Sequence, residues 1–191
     1  MSGKQAKTLS ARQLAIALRA ANKHRYAVRD RTIILLSVKA GLRAGEIAGL
    51  TWPMVLDAQG RLARHIALRD CAAKNGSGRL IPMHPELTRA LNHLRQLDGP
   101  AGSVIRSERG RAMRASSVVN WFAELYREIG FEGCSSHSGR RTFVTNAARL
   151  VAKVGGSLRD VQQLAGHRSI EHTQGYIDGD THAQRRLVRL L

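Results

Sequence analysis

Four short segments of this 191-residue sequence contain the residue types that chemistry on a phosphate requires. Arg43 and Glu46 are three residues apart, as are His137 and Arg140, and this spacing places each pair on one face of a helix. An arginine fork binds two phosphate oxygens at once, and such charge-assisted hydrogen bonds are about twice as strong as neutral ones. In chain order, the segments are AGLRAGEI from residue 40, KNGSGRLIP from residue 74, HSGRRTF from residue 137 and LAGHRSIEHTQGY from residue 164.

Two further residues in these segments could supply a nucleophile and an acid. Tyr176 ends the fourth segment, nine residues after His167. A tyrosine hydroxyl has an ordinary pKa of about 10, so it needs a neighbouring base and a cationic field before it can attack phosphorus. Lys74 lies in a turn rich in glycine and serine, where a lysine is either a solvated residue or an acid that approaches as the site closes. Tyr26 and Tyr126 compete with Tyr176, although Tyr126 lies in an amphipathic pattern typical of packing.

The composition indicates a folded protein with a phosphate-rich partner. Lys and Arg number 31 against 14 Asp and Glu, which gives a formal charge of +17, and 25 of these cations are arginines. Such a basic balance is the electrostatic footprint of a nucleic-acid-binding domain, although an Arg-rich surface of no function would look the same. Hydrophobic residues make up 43% of the chain, which suffices for a core, while eight aromatic residues are too few for a single-strand stacking platform.

Several protein classes are disfavoured by what the sequence lacks. No apolar run approaches the roughly 18 residues of a membrane span, and the N-terminus has no signal-peptide core. Cys71 and Cys134 have no ligand spacing, and the histidines outside the four segments form no metal pattern. Glycine motifs of the common nucleotide sites are missing. We therefore expect no metal, no cofactor and a cytoplasmic location.

The hydrophobic periodicity predicts a mostly α-helical fold that contains a small three-stranded antiparallel sheet. Ser10 is the expected N-cap of a first helix. Further helices are predicted over residues 31–39, 43–50, 86–97, 116–129, 137–151 and 158–165, with 31–39 central and buried. The three strands are predicted over residues 54–56, 64–68 and 79–82.

In order and spacing, the four segments resemble the catalytic domain of the tyrosine recombinases, the phage-integrase family. The resemblance runs from about residue 8 to Tyr176 and rests on GLRxxE, a hairpin lysine, HxxR and GHxxxxxxxxY in this order. It implies an enzyme that breaks and rejoins double-stranded DNA through a 3′-phosphotyrosyl intermediate, in site-specific integration, excision or inversion. It also implies association with the nucleoid.

The resemblance assigns the strand-breaking steps to three residues. Tyr176 would attack the scissile phosphate, His137 would accept the tyrosine proton, and Lys74 would protonate the departing 5′-oxygen.

The phosphate itself is assigned to a second group of residues. Arg43 and Arg140 would hold its oxygens, and His167 would donate a hydrogen bond to it. Glu46 is a supporting residue, since its spacing lets it hold Arg43 or reach a neighbouring member of the site. Gly139 stands where the family usually has leucine, so we expect a gap in the helix packing behind Arg140.

The whole chain, residues 1–191, is expected to form a single catalytic domain, with residues 1–8 as a flexible arm and residues 181–191 as a C-terminal tail. Family members commonly carry a helical N-terminal domain that closes around DNA, but only about 40 residues precede Arg43, so we expect no such core-binding domain here. The resemblance further implies a tetramer on paired sites. Leu187, Leu190 and Leu191 give the tail an apolar patch that could dock on a neighbouring protomer.

Two other functions fit the same residues. A catalytically silent DNA-binding relative would share the charge and the fold, although intact Tyr176, Arg43 and Arg140 argue against it. A type IB topoisomerase-like enzyme would share the chemistry and relax DNA as a monomer. Formation of a covalent protein–DNA adduct would exclude the first alternative. Relaxation of supercoiled DNA without recombination would support the second.

Overall fold

The computed structural model describes residues 6–69, 78–176 and 188–189 of the chain. Within them, eight α-helices and two strands follow one another along the sequence. The elements are α1 (Ala11–Ala21), α2 (Ala27–Lys39), α3 (Ala44–Gly49), β1 (His65–Leu68), β2 (Arg79–Pro82), α4 (Pro85–Asp98), α5 (Ala115–Glu128), α6 (Ser138–Leu150), α7 (Leu158–Ala165) and α8 (Ile170–Gln174). In the described ranges, no helix has both the length and the apolar character that a bilayer crossing demands.

Helix α2 is the centre of the core, as the sequence predicts. Its run from Ile33 to Leu36 is buried on every side, and α2 packs against α4 on one side and α6 on the other. A helix that is apolar all round can exist in water only with neighbours on all its faces. Because α2 ends just before Gly41 and α3, this central packing also fixes the start of the first predicted site segment.

Local sequence signals set several helix ends where the sequence predicts them. Ser10 forms a reciprocal capping box with Gln13 at the start of α1, and Ser157 forms another with Asp160 at the start of α7. Gly166 ends α7 in the left-handed conformation, with φ of 63°, which glycine adopts without strain. The short helix α8 has no counterpart in the sequence prediction.

The sheet is smaller than predicted, since the described residues contain two paired strands and not three. Strands β1 and β2 are antiparallel, with Ile66 opposite Ile81. The segment predicted as the first strand, 54–56, instead begins inside a 3₁₀ turn at Trp52–Met54, and Leu56 forms a single bridge to Leu62. Pro53 explains the difference, because its fixed φ suits the first turn of a helix and its missing N–H removes a ladder bond.

The gap predicted behind Arg140 is wrong, because Gly139 is a point of close contact between α6 and α2. A Cβ atom on Gly139 would lie 2.2 Å from Ser37 Oγ and 3.0 Å from Val38 Cγ1. The absence of a side chain therefore lets the two helices approach, where a leucine would need the space that α2 occupies. Close packing on the central helix holds the Arg140 backbone in place.

Candidate active site

Arg43 is the N-cap of helix α3, and the first turn of this helix joins Arg43 to Glu46. The Arg43 N–H donates to Glu46 Oε2 at 2.9 Å, and Arg43 Nη1 donates to Glu46 Oε1 at 2.8 Å. Glu46 is 1% exposed, whereas the Arg43 side chain is 25% exposed. A buried carboxylate thus holds Arg43 through one terminal nitrogen, and a quarter of the arginine side chain stays exposed.

Arg79, at the start of β2, is the second arginine on this carboxylate. Its Nη1 and Nη2 donate to the two oxygens of Glu46 at 3.0 and 3.1 Å, and its Nε donates to the Leu164 carbonyl at 2.9 Å. Arg79 lies in the second of the four segments but is not among the predicted site residues. No local sequence pattern could have identified it, because Arg79 and Glu46 are 33 positions apart and lie on different elements.

Arg140, on the first turn of α6, is 2% exposed and bridges two distant segments. Its Nη1 donates to the Gly41 carbonyl at 2.7 Å, and its Nη2 donates to the Ala165 carbonyl at 2.6 Å. The guanidinium therefore spans from the turn before α3 to the C-terminal end of α7. Cations are favoured at that end because unpaired carbonyls give it a partial negative charge.

The left-handed turn at Gly166 redirects the chain so that His167 follows the end of α7. His167 Nδ1 lies 3.0 Å from the Thr173 hydroxyl, which is fully buried. The imidazole stacks on the ring of Tyr176, with the centroids 5.3 Å apart and the planes 22° from parallel. Helix α8 supplies this geometry, since it returns the chain so that residues 167 and 176 meet.

Tyr176 is anchored on α6 as well. Its backbone carbonyl accepts a hydrogen bond from Thr145 Oγ1 at 3.2 Å, and its ring packs on a small apolar cluster that includes Val144 and Val161. The tyrosine is partly exposed. Tyr126, in contrast, is 3% exposed in the core, and burial raises its pKa well above the ordinary value. Of these two tyrosines, Tyr176 is the one that a DNA strand could reach.

His137 lies at the N-terminal end of α6 and is exposed. It lines a surface cavity of about 400 Å³ together with Arg141, Glu171, His172 and Tyr176. His137 and Tyr176 thus line the same cavity.

The electrostatics of the site are dominated by surplus positive charge. Burial, followed by the charges of Arg43 and Arg79, lowers the pKa of Arg140 to about 10. Burial, followed by the charge of Arg140, lowers the pKa of His167 to about 4, so the imidazole is neutral at physiological pH. For Glu46, burial opposes ionisation, but hydrogen bonds and charge from Arg79 outweigh it and lower the pKa of the carboxyl. Such a field stabilises an anion that enters the site.

The structure brings together six side chains: Arg43, Glu46, Arg79, Arg140, His167 and Tyr176, with His137 across the cavity from Tyr176. Lys74, the predicted acid, lies outside the described residues. Among the residues that the structure describes, no three His, Cys, Asp or Glu side chains are grouped closely enough to hold a metal ion.

Comparison with known proteins points to one family. The sequence model of the phage integrase family matches residues 7–182. The chain is 29% identical over 160 residues to tyrosine recombinase XerC of Mesorhizobium japonicum, an alignment that covers 81% of this chain and 48% of the relative. It is 30% identical over 153 residues to tyrosine recombinase XerA of Pyrococcus furiosus, covering 78% of this chain and 50% of the relative. The chain therefore spans about half the length of these curated relatives.

Solved structures share the fold. A crystal structure of XerA recombinase superposes with a TM-score of 0.75 at 24% identity, covering 96% of this chain and 64% of that one. A lambda integrase tetramer bound to a Holliday junction gives a TM-score of 0.73 at 20% identity, covering 93% of this chain and 50% of that one.

Proposed function

This chain belongs to the phage integrase family, and from that premise we propose that it breaks and rejoins DNA strands at specific sites through a 3′-phosphotyrosyl intermediate. The observation that carries the proposal is the position of Tyr176, whose ring lies against His167 in the field of Arg140, although these residues come from separate elements. A phenol with a neutral imidazole and buried cations beside it suits attack on a phosphodiester. The XerC and XerA relatives are named as tyrosine recombinases, which supports the same chemistry.

Cleavage then proceeds as a balanced exchange at phosphorus. The Tyr176 oxygen forms a bond to phosphorus as the bond to the 5′-oxygen breaks, and His137 takes the phenol proton. Lys74 gives a proton to the departing 5′-oxygen. A 5′-hydroxyl of a partner strand reverses these steps, so the energy of the phosphodiester is retained and no nucleotide cofactor or metal ion is consumed.

Arg43, Arg140 and His167 stabilise the negative charge that develops on the phosphate oxygens. Both arginines have guanidinium hydrogens beyond those in the bonds described above, because each terminal nitrogen carries two. In a neutral imidazole, one nitrogen accepts and the other donates. A Thr173 hydroxyl that donates to Nδ1 leaves the Nε2 hydrogen of His167 for a phosphate oxygen.

A pool of nicked duplexes of random sequence tests the proposal. When cleavage beside the nick releases a short 5′ fragment, the reverse step is lost and wild-type protein should accumulate as an SDS-resistant adduct. Sequencing the attached DNA then identifies the target site. Tyr176→Phe should give no adduct while it keeps its fold and its DNA affinity, because the change removes one oxygen and little volume.

Tyr126→Phe is the matched control, and it should retain the adduct apart from any loss of stability. An adduct in Tyr176→Phe, or one formed through Tyr126, would show that the nucleophile is another residue. If wild type binds DNA but forms no adduct even on a nicked duplex that carries its correct site, the function of a silent DNA-binding relative is favoured. Relaxation of supercoiled DNA with no joining of two sites would favour a topoisomerase-like enzyme.

We extend the proposal to assembly on DNA at the nucleoid, as a tetramer on paired sites whose contacts involve the C-terminal tail. The tail's Leu187, Leu190 and Leu191 lie outside the described residues, so the support is their apolar character in the sequence. Deletion of residues 181–191 should impair pairing of two sites more than binding to one, as measured by gel mobility on single and paired sites. Normal pairing by the truncated chain would show that the tail is not an assembly element.

A further inference from the structure

Glu46 shares its carboxylate between two arginines in an unequal way. Arg79 donates to both oxygens through both terminal nitrogens, at 3.0 and 3.1 Å, whereas the Arg43 guanidinium donates through Nη1 to one oxygen at 2.8 Å. The planar, bidentate geometry of Arg79 is the strongest ion pair that an arginine forms with a carboxylate. Arg79 is therefore the principal counter-ion of Glu46.

The environment of Arg79 shows that it faces the protein. Its side chain is 6% exposed, against 25% for Arg43. Its Nε is bonded to the Leu164 carbonyl in the last turn of α7, and its Cδ lies 2.9 Å from the place that a Cβ on Gly166 would occupy. All three nitrogens of the Arg79 guanidinium are therefore engaged, the two terminal ones by the buried carboxylate of Glu46 and Nε by the half-buried end of α7.

We propose that Arg79 is a positioning residue, which neutralises Glu46 and fixes it to β2 and the end of α7. As a result, the Arg43 guanidinium makes only one hydrogen bond to Glu46 and offers its other donors to the scissile phosphate. This inference rests on the proposed function of the site and names the residue that sets its charge balance. The cluster contains three positively charged arginines and one negatively charged carboxylate. Arg79 is the arginine whose charge the carboxylate neutralises. The charges of Arg43 and Arg140 are then left for a phosphate.

The consequence of losing Arg79 follows from the burial of Glu46. A buried carboxylate that loses its main partner recruits the nearest cation, because an unpaired buried charge is costly. Arg43 already touches Glu46 and would rotate to form the bidentate pair itself. Its donors would then be withdrawn from the phosphate, although Arg43 is unchanged in sequence.

The test is a double-mutant cycle with two readouts, adduct formation at saturating nicked DNA and the salt dependence of binding to a duplex. Arg79→Met should slow adduct formation about 10- to 100-fold, the size of effect that misplacing a reacting group causes. It should also reduce the slope of log affinity against log salt by about 0.9, the value of one lost phosphate contact. In a Glu46→Gln background, where Arg43 cannot be captured, Arg79→Met should lose most of both effects.

Arg159→Met is the matched control. Arg159 lines the same cavity of about 330 Å³ as Arg79, but its Nη1 is bonded to Gln162 and not to Glu46. Its effect should be the same in both backgrounds. Arg79→Lys keeps the charge but loses the fork, so it should fall between wild type and Arg79→Met.

Equal effects of Arg79→Met in the two backgrounds would overturn the inference, since a direct DNA contact or a general loss of fold acts regardless of Glu46. Thermal melting of each variant identifies a loss of fold. If Arg79→Met does not fold, the same double-mutant cycle is measured with Arg79→Lys. Absence of an adduct from wild type would refute the proposed recombinase. The salt slope would still decide the role of Arg79 because it requires only binding.

Discussion

Two buried carboxylates in this molecule have opposite surroundings. Glu46 is 1% exposed and Asp30 is 2% exposed, and each accepts hydrogen bonds from an arginine fork. Around Glu46 the cations exceed the anions, whereas around Asp30 they are balanced. The Glu46 cluster consists of Glu46, Arg43, Arg79 and Arg140. The Asp30 cluster consists of Asp30, Arg29, His24 and Glu128.

The Asp30 cluster joins the turn after α1 to α5. Arg29 Nη2 lies 2.8 Å from Asp30 Oδ1, His24 Nδ1 lies 2.9 Å from Asp30 Oδ2, and His24 Nε2 lies 3.2 Å from Glu128. With one arginine and one histidine facing two carboxylates, this cluster has no surplus charge when His24 is protonated. A balanced cluster has nothing left with which to bind an anion, and its role is to hold elements together.

The difference between the clusters teaches how a functional site can be distinguished from a structural ion pair of the same depth. Burial and good hydrogen bonds are common to both, so neither property marks function. Surplus charge of one sign, kept out of water, is costly unless a ligand completes it. The Glu46 cluster therefore has a surplus of positive charge, which a phosphate would balance in the proposed reaction.

The largest expected effect comes from removing one arginine from each cluster. Arg140→Met should slow adduct formation about 10²- to 10³-fold, as loss of a transition-state donor does. Arg29→Met should leave the adduct rate unchanged, although stranding buried Asp30 should lower the free energy of unfolding by about 3–5 kcal/mol. Single-turnover adduct assays and urea unfolding of both variants check the pair. A comparable catalytic loss in Arg29→Met would remove the distinction between the clusters.

Neutralising each carboxylate compares the two clusters by the loss in the free energy of unfolding. Glu46→Gln leaves three arginines unbalanced and should lower the free energy of unfolding by about 3–5 kcal/mol. Asp30→Asn keeps an acceptor and leaves fewer cations, so about 1–3 kcal/mol is expected. Duplex DNA should raise the melting temperature of Glu46→Gln more than that of wild type, because phosphate replaces the lost charge. If DNA raises the melting temperatures of Asp30→Asn and Glu46→Gln equally, the surplus charge is not what binds DNA.

His24 and His167 should contribute to stability with opposite dependence on pH. Burial alone would lower the pKa of His24, but Asp30 and Glu128 outweigh it and raise the pKa. Its contribution to stability is present below the unfolded pKa of about 6.5 and is lost as pH rises through the folded value. The pKa of His167 is lowered to about 4, so the unfolded chain binds more protons as pH falls from about 6.5, and stability is lost.

Urea unfolding of single variants between about pH 5 and pH 7 separates these contributions. His24→Asn should make acidification more destabilising than in wild type. His167→Asn should make it less destabilising, by about 2 kcal/mol over this range. Identical slopes in the two variants would contradict the opposite fields that the clusters create.

The smallest expected effect is that of a chelator. Because arginines hold the phosphate in the proposed reaction, EDTA should leave the rate of adduct formation unchanged, whereas a two-metal nuclease in the same buffer should stop. Activity that disappears with EDTA and returns with Mg²⁺ would show that the arginines alone do not stabilise the reacting phosphate.

The sequence by itself determined the parts of this protein that depend on neighbours along the chain. Helix periodicity, the capping box at Ser10 and the left-handed stop at Gly166 act over a few residues, and the structure confirms them. The four segments likewise led to the family, which the match over residues 7–182 shows. The predicted strand at 54–56 is wrong because a local feature, the Pro53 ring, outweighs an apolar run too short to separate strand from turn.

Only the tertiary structure decided which side chains meet. Arg79 reaches Leu164 across 85 positions and Arg140 reaches Gly41 across 99, and no local pattern encodes such pairings. Gly139 shows the same limit, since a missing side chain looks like a gap until α2 is found to fill it. Spacing in sequence fixes residues on one helix face, but the charge balance around Glu46 depends on where β2 and α6 place Arg79 and Arg140.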